Sequence, residues 1–377
     1  MALLPSIDQE AFARDLDALR DQVAASLGED DLAHLRKMER WGRAFTAVGY
    51  ATAWMLPNPV SIFCLAQGNT ARWTMMMHHV GHRGYDKVPG VPAAYTSKRF
   101  ARGSRRVLDW LDWMDPEAWA LEHNVLHHFR TGELADPDLV EENVRGVRQS
   151  KLPRLAKYGI VAFFALTWKV SYYAPNTLQV LLDQKTREPG ARGKSERSNP
   201  DPLLSAFDLR TPLGRAFFRR CLLPYGALRF AAAPLAFLPL GPVAVANVWI
   251  NTVAAELVAN VQSFVLIAPN HVGDDVYRFE GRAKNRAELY LRQVLGSVNY
   301  RTGGDANDFF HGYLNYQIEH HLWPDLPLLR YQELQPKVKA VCEKHGVPYV
   351  QQSVFSRLRK LVDVMVGKTS MPWATTH

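Results

Sequence analysis

Eight of the thirteen histidines in this 377-residue chain fall into three compact groups. The groups are His78, His79 and His82, then His123, His127 and His128, and finally His320 and His321. An isolated histidine is usually an ordinary surface or core residue, but three tight groups in one chain are not explained that way. Neutral imidazole is a common ligand of iron, zinc, copper and nickel, so the groups indicate metal binding.

The spacing within the groups fits two metal ions better than one. On a helix, residues four apart share a face, so His78 and His82 can both point at one ion, and the second group contains a pair with the same spacing. Adjacent helical residues diverge by about 100°, so His127 and His128 can serve different ions, as can the adjacent pair of the third group. Because a structural zinc site usually closes at four ligands, eight clustered histidines predict a dimetal site with open positions.

The elements that must position these side chains are apolar segments separated by charged ones. Stretch 44–71 has no charged side chain and is interrupted by a Pro-Asn-Pro sequence at 57–59, which predicts a tight helical hairpin. Stretch 158–182 carries Lys169 near its middle. Because a lysine inside a membrane span is costly, we expect this segment to lie at the interface or to extend its charge towards the headgroups.

The clearest membrane region lies between residues 230 and 270, where Glu256 is the single charged side chain. It is long enough for two spans joined near 239–242, so the chain is predicted to have about four transmembrane helices. The alternative is that these stretches are core helices of a soluble protein. His271 follows the last span and is a further candidate ligand, or else a cationic cap of the helix C-terminus.

The net charge of +8 is concentrated in clusters. These comprise Lys98, Arg99, Arg102, Arg105 and Arg106; Arg215, Arg219 and Arg220; and Arg278, Arg282, Lys284 and Arg286. No nucleic-acid-binding module accompanies them, so nucleic acid is not an expected partner. Basic flanks beside apolar spans suit the cytosolic side of a membrane, anionic headgroups or an acidic partner protein.

Outside the apolar region the chain divides into two terminal segments. Residues 1–43 form an amphipathic helical segment without the apolar core of a signal peptide, and residues 351–377 form a basic tail. The three cysteines are far apart, which predicts neither a disulfide framework nor a CxxC zinc site.

The three histidine groups, in this order, resemble the histidine boxes of the membrane fatty-acid desaturase and hydroxylase superfamily. The boxes read HHVGH at 78–82, HNVLHH at 123–128 and QIEHH at 317–321. The third box and its surroundings, GYLNYQIEHHLWPDLP at 312–327, are similar to front-end desaturases, in which glutamine replaces the first histidine. The resemblance extends over about residues 41–350.

The resemblance implies an all-α polytopic membrane protein whose desaturase domain, residues 44–350, carries a cytosolic helical cap. The cap would hold two iron ions on the cytosolic face, with O2 as co-substrate. The implied ligands are His78, His82, His123, His127, His128, His271, His320 and His321. Further possible ligands, or residues that support the ligands, are His79, Gln317, Glu319 and Asp274. The other carboxylates considered as supports are Glu122, Asp275 and Asp305.

The implied reaction introduces a double bond into a fatty acyl chain that is lipid-linked or held as a thioester. Electrons would come from an external donor of the ferredoxin or cytochrome b5 type, with its reductase, since the His-Pro-Gly-Gly haem motif is absent. The alternative is a hydroxylase or other oxygenase of a lipid, alkane or similar substrate. A non-catalytic metal-binding membrane protein is less favoured. Aromatic residues that could line a tunnel for the chain are Trp168, Tyr172, Tyr173, Phe230, Phe237 and Trp249.

Overall fold

A computed structural model of the chain describes residues 7–186 and 202–374. The longer helices are α1 (Gln9–Ala24), α2 (Glu29–Ala53), α3 (Pro59–Ala71), α4 (Arg154–Trp168), α5 (Ala174–Thr186), α6 (Pro242–Ile267), α7 (Arg286–Leu295), α8 (Leu328–Lys344) and α9 (Val354–Met365). Shorter α-helical segments are His78–Gly81, Arg105–Asp109, Pro116–Leu121, His128–Arg130, Val140–Asn143, Arg145–Gln149, Pro202–Ala206, Pro212–Phe217, Leu223–Gly226, Ala233–Leu235, Gly304–Phe310 and Gln317–Leu322. The protein is therefore mainly helical, as the sequence predicts.

Several helices contain π-helical or 3-10 segments. The π-helical segments are Arg72–Met77, Glu122–His127, Lys169–Tyr173, Phe218–Leu222 and Ala227–Ala232, and the 3-10 segments are Ala93–Tyr95, Leu238–Leu240, Ala268–His271 and Leu314–Tyr316. Four two-residue strands, β1 (Arg278–Phe279), β2 (Asn299–Tyr300), β3 (Gln351–Gln352) and β4 (Trp373–Ala374), form two parallel pairs, β1 with β4 and β2 with β3. These pairs tie the C-terminal residues to the segment that follows the last span.

The hairpin predicted over 44–71 is confirmed. Helix α2 ends at Ala53 and α3 begins at Pro59, with Asn58 as its N-cap, and the two helices pack against each other. The Asn58 side chain accepts a hydrogen bond from the Ser61 backbone N–H at 2.8 Å. Proline at the first helical position has a suitable φ and needs no donor, so this sequence ends one helix and starts the next.

Two helical stretches in the described part of the chain are long and apolar enough to cross a membrane, Pro212–Leu240 and Pro242–His271. The expectation of about four such helices is therefore wrong. Helix α3 continues directly into the π-helical segment Arg72–Met77 and the short helix His78–Gly81, and this stretch is not one of the two. The turn between the two spans lies at Gly241, whose φ of 100° suits glycine.

Lys169 is not at an interface and does not extend to the headgroups. It lies inside one continuous helical stretch made of α4, Lys169–Tyr173 and α5, and its side chain is fully buried. Its Nζ donates to Asp112 Oδ2 at 2.7 Å, and it lies 5.3 Å from the centre of the Trp73 ring. Burial is tolerated because the lysine is paired, and the partner lies 57 residues earlier, where no local pattern indicates it.

The remaining helices form a cap beside the spans. Helix α1 packs on α7 and α8, and α2 also contacts α8. Arg357, in the predicted basic tail, is fully buried in α9 and pairs with Asp275 at 2.6 Å. Asp31 and Arg330 make a second buried pair at 2.7 Å between α2 and α8. These contacts hold both terminal regions against the segment that carries the histidines.

Candidate metal centre

The histidine groups are held at places where helices depart from regular α geometry. The π-helical segment Arg72–Met77 runs directly into His78, and Glu122–His127 contains most of the second group. The third group lies on Gln317–Leu322, and His271 ends the 3-10 segment after α6. π-helical turns often occur at functional sites, because the additional residue redirects the side chains that follow.

Five histidines form the first cluster, in which one nitrogen from each lies within 4.8 Å of all the others. Its members are His78, His82, His123, His128 and His320, and all are buried. The second cluster, defined by the same 4.8 Å limit, contains His127, His271 and His321. Segments more than 200 residues apart in the chain thus supply nitrogen atoms to two neighbouring histidine clusters.

Adjacent histidines separate between the clusters as the sequence predicts. His127 and His128 belong to different clusters, and so do the two histidines of the third group. The spacing of His123 and His127 predicts that both point at one ion. In the two clusters, however, His123 is grouped with His128 and not with His127. The spacing of five between His123 and His128 matches the i→i+5 repeat of the π-helical segment on which they lie.

His79 lies outside both clusters, although its neighbour His78 is a member of the first. Its ring centre is 5.2 Å from that of His320 and 5.6 Å from that of Tyr331. Gln317 lies against the second cluster and donates from Nε2 to His271 Nε2 at 2.9 Å. The structure thus places His78 rather than His79 with the other imidazole nitrogens.

The outward-facing Nδ1 atoms of four histidines have protein partners. His127 bonds to Asp136 Oδ1 at 2.9 Å, His271 to the Gly296 carbonyl at 2.9 Å, His321 to Gln293 Oε1 at 2.8 Å, and His320 to the Tyr331 hydroxyl at 3.3 Å. An N–H that donates at Nδ1 fixes the tautomer and leaves the lone pair on Nε2, which in His271 accepts from Gln317 and in His320 and His321 has no partner among the described residues.

Several inward-facing nitrogens have no hydrogen-bond partner among the described residues. They are Nε2 of His82, His128, His320 and His321, and all are buried. An unpaired buried polar atom is costly, so this set fits bound metal ions better than a dry core. Burial lowers the pKa of these four histidines well below 6.5, which keeps the imidazoles neutral, the form that binds metal.

His127 differs from the others because it is paired with a carboxylate. Burial disfavours its charged form, but the Asp136 carboxylate outweighs burial, and the pKa of His127 is raised above 6.5. Asp136 also accepts hydrogen bonds from the backbone N–H groups of Gly132 at 3.0 Å and Asp138 at 2.9 Å. The carboxylate is therefore held by three donors and in turn holds the His127 ring.

The sequence reasoning missed Asp136, and also Gln293, which bonds to His321, and Asp138, which lies within reach of His123 and His127. The position of Asp136 in an Asp-Pro-Asp turn, nine residues after a histidine of the second box, was the available signal. The expected supporting carboxylates have other partners. Glu319 accepts from Asn299 and Tyr349, Asp274 and Asp275 pair with Lys360, and Asp305 contacts His34 and Lys37. Glu122 is buried beside His123.

A mostly apolar cavity of about 220 Å³ ends at the histidines, where His78, His123, His127 and His271 form part of its wall. Of the aromatic residues predicted to line a tunnel, Trp168, Tyr172 and Tyr173 do so, whereas Phe230, Phe237 and Trp249 do not. The latter three lie on the two spans, and Trp249 is 48% exposed on the outer surface. The cavity can therefore bring an apolar chain to the two histidine clusters.

Comparison with known proteins agrees with this geometry. The fatty acid desaturase family model matches residues 40–353. An NADPH-dependent stearoyl-CoA 9-desaturase of Mycobacterium tuberculosis is 27% identical over 386 residues, covering 98% of this chain and 82% of that protein. A fatty acid desaturase 2-like protein of Mus musculus is 43% identical over 85 residues, 22% of this chain and 17% of that protein. A Delta(8)-fatty-acid desaturase of Euglena gracilis is 35% identical over 100 residues, 25% of this chain and 22% of that protein.

The family match, together with the histidine clusters and the two apolar helices, supports a membrane-associated oxidoreductase that acts on fatty acids. The chain belongs to the fatty acid desaturase family, which confirms the resemblance carried by the three boxes.

Proposed function

We propose that this protein is an O2-dependent di-iron desaturase that introduces a double bond into a fatty acyl chain. The observation that carries the proposal is the meeting of two histidine clusters, buried except for the partly exposed His271, with the end of an apolar cavity. Iron bound at the clusters would supply the oxygen activation needed to attack an unactivated C–H bond. The residues of the chain hold, orient and shield that site.

The proposed ligands are the eight histidines of the two clusters: His78, His82, His123, His128 and His320 for one iron, and His127, His271 and His321 for the other. Asp136, Gln293 and the Gly296 carbonyl orient ligand rings through their Nδ1 atoms. We assign Gln317 a supporting role, since its amide contacts His271. Of the other predicted residues, His79 lies beside the first cluster, while Glu319 and Asp274 have their partners elsewhere.

The acyl chain is proposed to occupy the cavity, with the reacting methylene groups at the wall that the histidines form. Trp73, Trp119, Trp168 and Tyr173 line the cavity and are themselves buried. Aromatic surface binds methylene groups and excludes water, which protects a reactive oxygen species from side reactions. The length of chain between the cavity mouth and the clusters would determine which bond is oxidised.

Electrons are proposed to come from an external donor of the ferredoxin or cytochrome b5 type, with its reductase. We propose that the clusters, which adjoin the end of the second candidate span at His271, lie beside the cap and outside the bilayer. We propose that this end faces the cytosol, where a soluble donor can reach it.

The test is a comparison of two histidine variants in a host that expresses the chain. His320→Ala should abolish formation of the unsaturated product, while His311→Ala should retain it. His311 lies in the same region but bonds to the Asn307 carbonyl and belongs to neither cluster. Lipid mass spectrometry measures the products, and iron analysis of the purified proteins measures the metal.

Loss of two hydrogens identifies desaturation, and gain of one oxygen identifies the hydroxylase alternative. The proposal fails if the purified protein contains zinc rather than iron, or if His320→Ala forms product like the parent chain.

A further inference from the structure

A second cavity, of about 460 Å³, lies on the opposite side of the helix that leads to the histidines. Its wall includes Glu39 and Arg43 from α2, Arg72 and Met76 from the π-helical segment, and Arg105 from the segment that follows the first box. Trp73 and Thr74 of the same π-helical segment face the first cavity. The two cavities are therefore separate and share one helix as a partition.

The charged groups in the second cavity leave one cation without a partner. Arg43 pairs with Glu39, and Arg105 makes two hydrogen bonds to Asp109, at 2.9 and 2.7 Å. Arg72 has neither an acidic partner nor a side-chain hydrogen bond within the described ranges 7–186 and 202–374. With three arginines and two carboxylates in its wall, the cavity carries one unpaired positive charge.

The surroundings of Arg72 make that charge unfavourable without a ligand. Burial, followed by the positive charge of Arg229, lowers the pKa of Arg72. Arg229 itself lies 3.9 Å from Glu256, and this carboxylate also accepts hydrogen bonds from Tyr225. An arginine stays protonated and presents a planar set of donors, so an anion is the group that would satisfy Arg72.

The second cavity lies at the histidine end of the spans. At the other end, Asn247 and Asn251 of α6 bond to backbone carbonyls in the turn between α2 and α3, including that of Ala53. Helix α3 runs from that turn towards Arg72, as α6 runs towards His271. Arg72 directly follows the last residue of α3 and therefore lies on the histidine side of the protein, away from that turn.

The rim of the second cavity combines charge with exposed apolar surface. Leu108 lines the cavity and is 73% exposed, and its neighbour Val107 is 52% exposed. Lys98, Arg99 and Arg102 precede them and are all exposed. Apolar side chains beside a basic cluster are typical of a surface that meets an anionic leaflet.

We propose that the second cavity binds a phosphate-bearing anion through Arg72, and that the headgroup of an anionic phospholipid supplies it. The guanidinium would form two parallel hydrogen bonds to phosphate oxygens, and the acyl chains of the lipid would lie against Leu108 and the adjoining bilayer. The site is distinct from the histidine clusters, and its occupancy does not depend on iron or on the reaction proposed above.

The test uses the full chain purified in detergent, with melting temperature followed during titration at constant ionic strength. One arm adds phosphatidylglycerol, a second adds phosphatidylcholine and a third adds inorganic phosphate. Arg72→Gln should weaken the apparent affinity for phosphatidylglycerol about tenfold or more, the scale expected for loss of a charge-assisted contact. Arg102→Gln is the matched control, because it removes the same charge from the same basic surface without lining the cavity.

A stabilisation by phosphatidylglycerol that Arg102→Gln keeps and Arg72→Gln loses supports the lipid site. An equal response to inorganic phosphate, lost in the same variant, assigns the site to a soluble phosphate instead. An unchanged response in Arg72→Gln, or no response of the parent chain to any addition, overturns the proposal. If Arg72→Gln does not fold, the lipid titration is repeated with Leu108→Glu and, as its control, Val107→Glu. Only Leu108→Glu puts a carboxylate that repels phosphate in the cavity wall, so only this variant should lose the response to phosphatidylglycerol.

Discussion

Asp136→Asn should weaken the iron binding proposed for the histidine clusters, although it changes neither a proposed ligand nor the size of a side chain. In the structure, Oδ1 of Asp136 accepts from His127 Nδ1 and from the Asp138 backbone N–H, and Oδ2 accepts from the Gly132 backbone N–H. Asparagine has one carbonyl oxygen, so its NH2 group must face a donor. Whichever way the amide turns, at least one buried N–H loses its acceptor.

The magnitude follows from that arrangement. A buried donor left without a partner costs about 1–3 kcal/mol. Removing the negative charge also makes the His127 imidazole a weaker base, and loss of a carboxylate behind a ligating histidine typically lowers metal affinity roughly 10- to 100-fold. The second cluster, which contains His127, should therefore lose its iron before the first cluster does.

The assay is iron content per protein chain during titration with a chelator of known affinity. The parent chain should release iron in two steps that overlap, and Asp136→Asn should release the first iron at a lower chelator concentration. Asp274→Asn is the control: Asp274 lies three residues after His271 but pairs with Lys360, and its side chain is 52% exposed. Equal iron retention by Asp136→Asn and the parent chain, or equal loss from both variants, would refute the reasoning.

Two further predictions concern the buried ion pair and the first cavity. Lys169→Met should destabilise the protein by about 3–5 kcal/mol, because it leaves the Asp112 carboxylate buried and unpaired. The double change Lys169→Met with Asp112→Leu should recover most of the melting temperature, and equal losses in the single and double variants would contradict this. Phe164→Ala enlarges the first cavity and should raise activity on longer acyl chains relative to shorter ones in a competition assay. Phe163→Ala, which changes an exposed neighbour outside the cavity, should leave that ratio unchanged.

Much of the metal centre was predictable because its signals are local. His82 lies four positions after His78 and His128 directly follows His127, so helix geometry alone indicates which can point the same way. The structure follows that geometry except at His123, where a π-helical segment replaces the expected α-helix. The additional residue in each turn of this π-helical segment brings His123 into line with His128 instead of His127. Such a local widening depends on packing with neighbours, which the residue pattern does not contain.

The number of spans was predicted less well, for a related reason. Hydropathy along the chain identifies apolar stretches but does not distinguish a membrane helix from one that packs inside the protein. The stretch around Lys169 is such a case, since its charge is satisfied by Asp112 from a distant segment. With that pairing hidden, a segment whose lysine is buried inside the protein looked like an interfacial one.

The residue pattern was enough to predict a group of histidines able to hold metal, the α2–α3 hairpin and the family. These follow from residue type and from spacings of a few residues, which act through local backbone geometry. The tertiary structure alone decided how the eight histidines divide between two clusters, which carboxylate holds His127, and where the two cavities lie. Each of these depends on contacts between segments tens to hundreds of residues apart, and such contacts exist only once the helices have packed.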